Sequence, residues 1–309
     1  MIRVAETRVR ERVVIAVRRA ESDADFEAWR QVRIAVLPNE RTLSTEQMRT
    51  TLGPHQVLLL AELDGDVVGA GIAGRSDIGG QGSVIPRVIP TARRRGVGTA
   101  LLRELAAHVE SLGFDRVGST ADDPGSLAFA ERFGLREVGR EVEQVRAIGE
   151  EPWPEPPPGI EVVSLAERPE LFERAYDELA LEAFRDFALD RPIEVSLEDW
   201  KREWQVWPEA SFVALAHGEL VGMAGLHADD DRPERAENSL SAVHGAWRRR
   251  GIASLLKRTV LAWAAENGLH EVYTWTQGGN TAMRAVNERL GYVTRSMGIR
   301  VRGPLPLPR

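Results

Sequence analysis

The stretch that decides the fold runs from Ser241 to Tyr292. It reads S-A-V-H-G-A-W-R-R-R-G-I-A-S-L-L-K-R from Ser241 to Arg258, continues through an amphipathic run, and closes with V-Y-T-W-T-Q-G-G-N-T-A-M-R-A-V-N-E-R-L-G-Y from Val272 to Tyr292. A short apolar segment ending at Val243 predicts a strand. A basic turn follows, Arg248, Arg249 and Arg250, closed by Gly251. Ile252, Leu255, Leu256, Val260 and Ala264 then recur at helical spacing until Gly268 stops the helix. Strand, glycine turn and helix start together make an anion site, because the unpaired N–H groups of the first helical turn and the helix dipole both face the ligand. Gly251 lets the main chain approach a phosphate, and the arginines add forked donors.

The same pattern occurs earlier. Arg93-Arg94-Arg95-Gly96-Val97-Gly98 is followed by a helical run from Leu101 to Val109, a Gly113 stop, a strand-like Arg116 to Ser119, and a helix closing at Phe133-Gly134-Leu135. Arg93 to Val117 overlays Arg248 to Val272 at a constant shift of 155 positions. Glu131-Arg132 falls on Glu288-Arg289 at a shift of 157, and the turn from Leu63 to Gly69 falls on Ala216 to Gly222 at 153. Shifts that change only between elements place the insertions in loops. Two copies of one domain account for this.

Arg248-x-x-Gly251-x-Ala253, between a strand and a helix, resembles the R/Q-x-x-G-x-G/A motif of the GCN5-related N-acetyltransferase (GNAT) family. The resemblance implies an α/β fold of two GNAT-like domains, each a mixed, mostly antiparallel twisted sheet flanked by helices. Their expected bounds are residues 1–149 and 160–309, joined by the Pro-rich run 150–159. It implies acetyl-CoA as cofactor, held in the second copy by Ala242, Val243, Arg248, Arg249, Arg250, Gly251, Ile252, Ala253, Ser254 and Asn280. In the first copy the matching positions are Val88, Ile89, Arg93, Arg94, Arg95, Gly96, Val97, Gly98 and Thr99. Both copies depart from the family where a tyrosine of the last helix often protonates the leaving thiolate: Ala130 and Asn287 stand there. Candidate catalytic residues are Glu237, at the start of the strand ending at Val243, His244, which follows that strand, and Asn287. Glu237 and His244 each have a structural alternative: a solvated loop carboxylate, and a structural histidine where the family usually has a proline. Asn280 either caps its helix or contacts the pantetheine arm.

Two function classes follow. One is an acetyl-CoA-dependent N-acetyltransferase acting on a small-molecule or peptide amine, with the second copy the preferred catalyst. The other is a non-catalytic acyl-CoA-binding protein. Asp186, Asp190, Glu194, Glu198 and Asp199 precede the second hairpin and are expected to wall the acceptor side against a cationic amine. A monomeric pseudo-dimer or a homodimer is compatible with the repeat.

The remaining composition narrows the class. The 309 residues are 43% hydrophobic and 28% charged, with a net charge of −7, which argues against a nucleic-acid partner. The absence of cysteine removes disulfides and thiolate chemistry. No apolar run reaches the length of a membrane span, and the charged N-terminus lacks a signal-peptide core, so a cytoplasmic address is expected. Residues 1 to about 12 read as an arm or an edge strand, Val13 to Val17 as the first strand, and Ser44 with Gln47 as a capped helix start. Pro86 is awkward inside the strand from Ser83 to Ile89, and a bulge is expected there. Trp200 and Trp204, one helical turn apart, are expected to pack a helix.

Overall fold

The computed structural model describes residues 14–187, 191–204 and 206–308. The N-terminal arm, Val13 and Asp190 lie outside them. The first repeat runs β1 (Ile15–Arg19), α1 (Asp23–Val36), α2 (Thr45–Thr51), β2 (Val57–Leu63), β3 (Asp66–Arg75), β4 (Gly82–Val88), α3 (Val97–Ser111), β5 (Arg116–Ala121), α4 (Pro124–Arg132) and β6 (Arg136–Ala147). The second runs β7 (Ile160–Ser164), α5 (Leu171–Ala175), a π turn, α6 (Leu181–Asp186), α7 (Leu197–Glu203), β8 (Phe212–Ala216), β9 (Glu219–Ala224), β10 (Leu226–Ala228), β11 (Arg235–Asn238), β12 (Ala242–Val243), α8 (Ile252–Glu266), β13 (Glu271–Gln277), α9 (Thr281–Arg289) and β14 (Val293–Pro304). Most strand pairs are antiparallel; β4–β5 and β11–β13 are parallel.

Local chemistry explains the boundaries. Ser22 with Asp25 and Ser44 with Gln47 each form a reciprocal capping box, starting α1 and α2. The two hairpins turn through left-handed pairs, Asp64-Gly65 and His217-Gly218. The bulge expected at Pro86 is absent: β3 and β4 pair without a register shift from Gly69↔Val88 to Arg75↔Gly82. Proline is tolerated because β4 has already parted from β5 at that level and is locally an edge. Trp200 is buried and stacks on Trp204 with ring centroids 5.7 Å apart. The Pro-rich run carries no regular structure, and Trp153 within it donates to Glu266 and meets Phe212 edge-on.

Strand order exposes the central feature. Among the described residues, ten strands form one sheet in the order β1-β2-β3-β4-β5-β14-β6-β13-β11-β10. The last strand of each repeat is therefore inserted in the other: β14 lies against β5, and β6 lies against β13. The two exchanged strands pair with each other along the middle. A second sheet, β12-β9-β8-β7, completes the second repeat. Loops follow the same reciprocity. The backbone N–H of Arg41, between α1 and α2, donates to the Tyr273 hydroxyl at 3.0 Å, and Arg235 donates to the Asn39 carbonyl. In the opposite direction, Glu194 N–H reaches the Asp77 carbonyl at 2.7 Å and Gly79 N–H the Pro192 carbonyl at 2.9 Å.

Because β5 and β6 have β14 between them, a fragment of residues 1–149 has two bare strand edges in its interior. It is expected to aggregate alone and to become soluble when co-expressed with residues 150–309. Gel filtration and circular dichroism check this; a monomeric, cooperatively melting 1–149 fragment would contradict it.

Candidate cofactor and acceptor site

The cofactor side of the site begins where β4 and β5 separate. They pair only at Gly82↔Val117 and Ser83↔Gly118 and then part. The gap opens into a cavity of about 770 Å³, lined at one end by Arg93, Arg94, Gly96, Gly98 and Thr99 and along its apolar wall by Val88, Leu102, Phe129, Ala130 and Leu135. Gly96 holds φ 93° at the head of α3, and no side chain caps that helix. Its first-turn N–H groups are thus available to an anion. Arg93 donates to the Val88 carbonyl at 3.1 Å and approaches Asp123 at 3.6 Å; Arg95 reaches Asp64 at 3.1 Å. Val97 is buried in the core behind this loop, and Ile89 packs against the same core. An anion-headed ligand with a long, largely apolar arm fits this shape.

Toward α1 the cavity becomes charged. Arg87 and Asp122 line it and pair at 3.2 Å, and Arg87 also donates to Thr120. Burial lowers the Arg87 guanidinium, and Asp122 opposes the shift. Arg33 pairs with Glu40 at 2.8 Å. Burial raises the Glu40 carboxyl, against the pull of Arg33 and Arg87. Beyond it stands Glu237 of β11, in register with Tyr273 of β13. The Tyr273 hydroxyl approaches Glu237 at 3.4 Å and Arg41 approaches it at 3.5 Å. Burial raises the Glu237 carboxyl and Arg41 opposes the rise. Glu237 and Glu40, from different repeats, feel each other's charge.

Sequence reasoning reached Glu237 and missed Glu40, Arg87 and Asp122. A lone Glu in a helix–helix connection has no spacing to betray it. Arg87 follows the misleading Pro86. Asp122 stands beside Asp123, which caps α4, and two adjacent carboxylates carry no spacing that tells their roles apart.

The second repeat reproduces the loop backbone. Gly251 has φ 86° at the head of α8, Arg249 has φ 60° as Arg94 has 64°, and Arg248 donates to the Val243 carbonyl at 3.1 Å as Arg93 does to Val88. The side chains differ. Arg248 pairs with Glu182 at 2.9 Å and Asp186 at 2.6 Å, and the Gly245 N–H donates to Glu182. Arg250 lies over the Trp247 ring. Ala242 and Val243 form β12 against β9; Ile252, Ala253 and Ser254 make the first turn of α8. Asn280 caps α9, accepting from the Met283 N–H.

The three catalytic candidates do not converge. His244 accepts from the Ala246 N–H and caps a short turn. Asn287 is fully buried and donates to Gln144 of β6 at 3.0 Å, with Thr276 also close. Thr276 and Tyr273 are three positions apart on β13, so Asn287 and Glu237 lie on opposite faces of the sheet. The acidic segment also disperses. Asp186 meets Arg248, Glu194 lies 3.7 Å from Arg75, Glu198 lies 3.6 Å from Arg202, and Asp199 bonds Ser196 and Arg202.

One buried cluster was not anticipated. Lys257 of α8, 2% exposed, places Nζ 3.0 Å from Asn238 Oδ1 and 5.3 Å from the Tyr292 ring centroid. The Tyr292 hydroxyl donates to the same Oδ1 at 2.8 Å. Burial alone brings the amine from 10.5 to about 7.

Comparison with known proteins agrees with the repeat. Residues 16–135 and 172–292 each match the model of the acetyltransferase (GNAT) family. A mycothiol acetyltransferase of Saccharomonospora viridis is 29% identical over 78% of this chain and 82% of its own length. One from Nocardia farcinica is 31% identical over 76% and 78%. Among solved structures, a tandem GNAT protein from the clavulanic acid biosynthesis pathway aligns with TM-score 0.76, at 19% identity, over 95% of this chain and 98% of its own. A GCN5-related N-acetyltransferase from Sphaerobacter thermophilus aligns at 0.72 and 22% identity, over 94% and 95%. At these identities the structures establish a shared fold. Among the described residues no helix is long and apolar enough to cross a membrane.

The Lys257 amine makes stability depend on pH in a calculable direction. Between pH 10.5 and about 7 the unfolded chain carries the ammonium and the folded chain the amine, so stability falls as pH falls and levels off below about 7. Lys257→Met removes that dependence. Its stability relative to wild type should rise as pH drops from about 10 to about 7 and then stay constant. Urea denaturation across that range checks it; a pH-independent difference would refute it.

Proposed function

Because the chain belongs to the acetyltransferase (GNAT) family, we propose that it transfers the acetyl group of acetyl-CoA to a primary amine of a small-molecule or peptide acceptor, with the cofactor held in the first repeat. The observation that carries this reading is the cavity between the parted β4 and β5, with an uncapped helix start and arginines at one end and an apolar wall behind. The N–H groups of the loop around Gly96 take the pyrophosphate, and the apolar wall takes the arm. The acceptor enters on the charged α1 side. Its amine attacks the thioester carbonyl, a C–N bond forms, the C–S bond breaks, and the ammonium proton passes to a carboxylate directly or through water. Glu237, raised by burial and close to Tyr273, is the base this reading favours, so the second repeat supplies it to the first repeat's chamber. With Ala130 at the usual tyrosine position, the thiolate takes its proton from solvent. Relatives named mycothiol acetyltransferase make an acceptor related to mycothiol the first to screen. The lack of a phenolic acid at Ala130 and Asn287 keeps a second reading, a non-catalytic acyl-CoA binder, which thiol-release assays with an amine panel distinguish.

Two outcomes are expected. Gly96→Asp forces a side chain into a left-handed position and sets a negative charge beside the phosphates, so acetyl-CoA affinity should fall about tenfold or more by calorimetry. Glu237→Gln should lower kcat/KM roughly a hundredfold. A base is active only when deprotonated, so the wild-type rate should fall as pH drops through the raised Glu237 pKa, and the variant should lose that limb. Unchanged pH profiles would remove Glu237 from the mechanism.

A further inference from the structure

The two repeats share a loop backbone and a strand–helix frame, yet their clefts differ in what fills them. At the shift of 155, Lys257 stands where the first repeat has Leu102, and at 157 Tyr292 stands where it has Leu135. Both leucines line the first repeat's cavity. In the second repeat the same two positions converge on Asn238, at the end of β11, through hydrogen bonds of 3.0 and 2.8 Å. At the other end of this cleft, Arg248, the counterpart of Arg93, is held by the carboxylates of Glu182 and Asp186. The same Glu182 accepts from the Gly245 N–H, so α6 lays two negative groups against the loop that would otherwise receive a phosphate.

We infer that the second repeat is a cofactor cleft occupied by its own side chains: Glu182 and Asp186 stand in for a phosphate at the loop, and Lys257, Asn238 and Tyr292 fill the place of the acyl-CoA arm. The chain then carries a single acyl-CoA, in the first repeat. The two ends are closed by unrelated means. A pyrophosphate approaching Arg248 must displace two carboxylates already paired with it, and an arm entering behind must displace a lysine and a tyrosine that are both buried. Burial pulls the Lys257 amine well below its ordinary value, which lowers the charge that the filling carries. The structural role of the second repeat is then to lend β14 to the first repeat's sheet.

This inference rests on the reading that the first repeat holds acetyl-CoA, and titration of the full chain by calorimetry separates the two. Wild type is expected to bind one acetyl-CoA per chain, Gly96→Asp to lose it, and Gly251→Asp to keep it within about twofold. Glu182→Gln with Asp186→Asn and Lys257→Leu should open a second site. Should that triple variant fail to melt cooperatively, the solvent-accessible pair Glu182→Gln and Asp186→Asn is titrated alone with inorganic pyrophosphate, where a second site sensitive to Gly251→Asp is expected. Two acetyl-CoA sites in the wild type would overturn the inference and leave the first-repeat reading intact. A single site lost in Gly251→Asp and kept in Gly96→Asp would overturn both. A folded triple variant that still binds one acetyl-CoA, or a pair variant without the second pyrophosphate site, would also overturn it.

Discussion

The antiparallel contact between β6 and β14 is the join on which the molecule depends. Each of these strands is flanked on one side by the other and on the far side by a strand of the opposite repeat, so removing either leaves a gap inside a ten-stranded sheet rather than at its rim. Backbone groups along such a gap lose their ladder partners and are left to water or to another strand edge. The join also sets the position of everything polar around it. Arg295 pairs with Glu143 across it and Arg300 approaches Glu141 at 3.5 Å, while Asn287 and Gln144 bond on the opposite face. The loops that bring Arg41 to Tyr273 and Glu194 to Asp77 are close enough to meet because the sheets are already continuous.

Backbone geometry and side-chain content have separated in the two repeats. The left-handed residue at Arg94 recurs at Arg249, that at Gly96 recurs at Gly251, and the first arginine of each loop donates to the carbonyl of the residue five positions earlier. What differs is what surrounds them. β3 and β4 are continuous in the first repeat, whereas the second interrupts the same course into β9 and β10, and into β11 and β12. The frame asks little of the sequence: glycine at the left-handed helix heads, Gly96 and Gly251, and arginine at the left-handed position two residues before each. The cleft is decided by four or five side chains, and those are free to change.

Legibility followed that division. The two glycine loops, the caps at Ser44 and Asn280 and the hairpin turns could be read, since each is a local demand of the backbone on a residue type. The repeat emerged from constant spacing. The exchange of β6 and β14 left no trace, because an alternating strand is satisfied by any partner of matching register. The acidic run from Asp186 to Asp199 was visible as composition, but its organisation was not: arginines from α7, α8's preceding loop and the first repeat claim the carboxylates one by one. Glu40 matters only through its neighbours in space, and Lys257 was hidden by a helical stripe in which an apolar residue was the ordinary expectation.

The exchange also orders events in time. During synthesis β5, residues 116–121, emerges long before its neighbour β14, residues 293–304. At about 5–20 residues per second the wait is on the order of ten to thirty seconds. Until then the first repeat can collapse around α3 and form its β1–β4 meander, but the edge of β5 stays open and the cavity beside it lacks its final support. The half of the protein made first is thus closed by a strand of the half made after it. A nascent chain stalled before β14 exposes an unpaired strand, and any factor that shields such edges during translation would act on this interval.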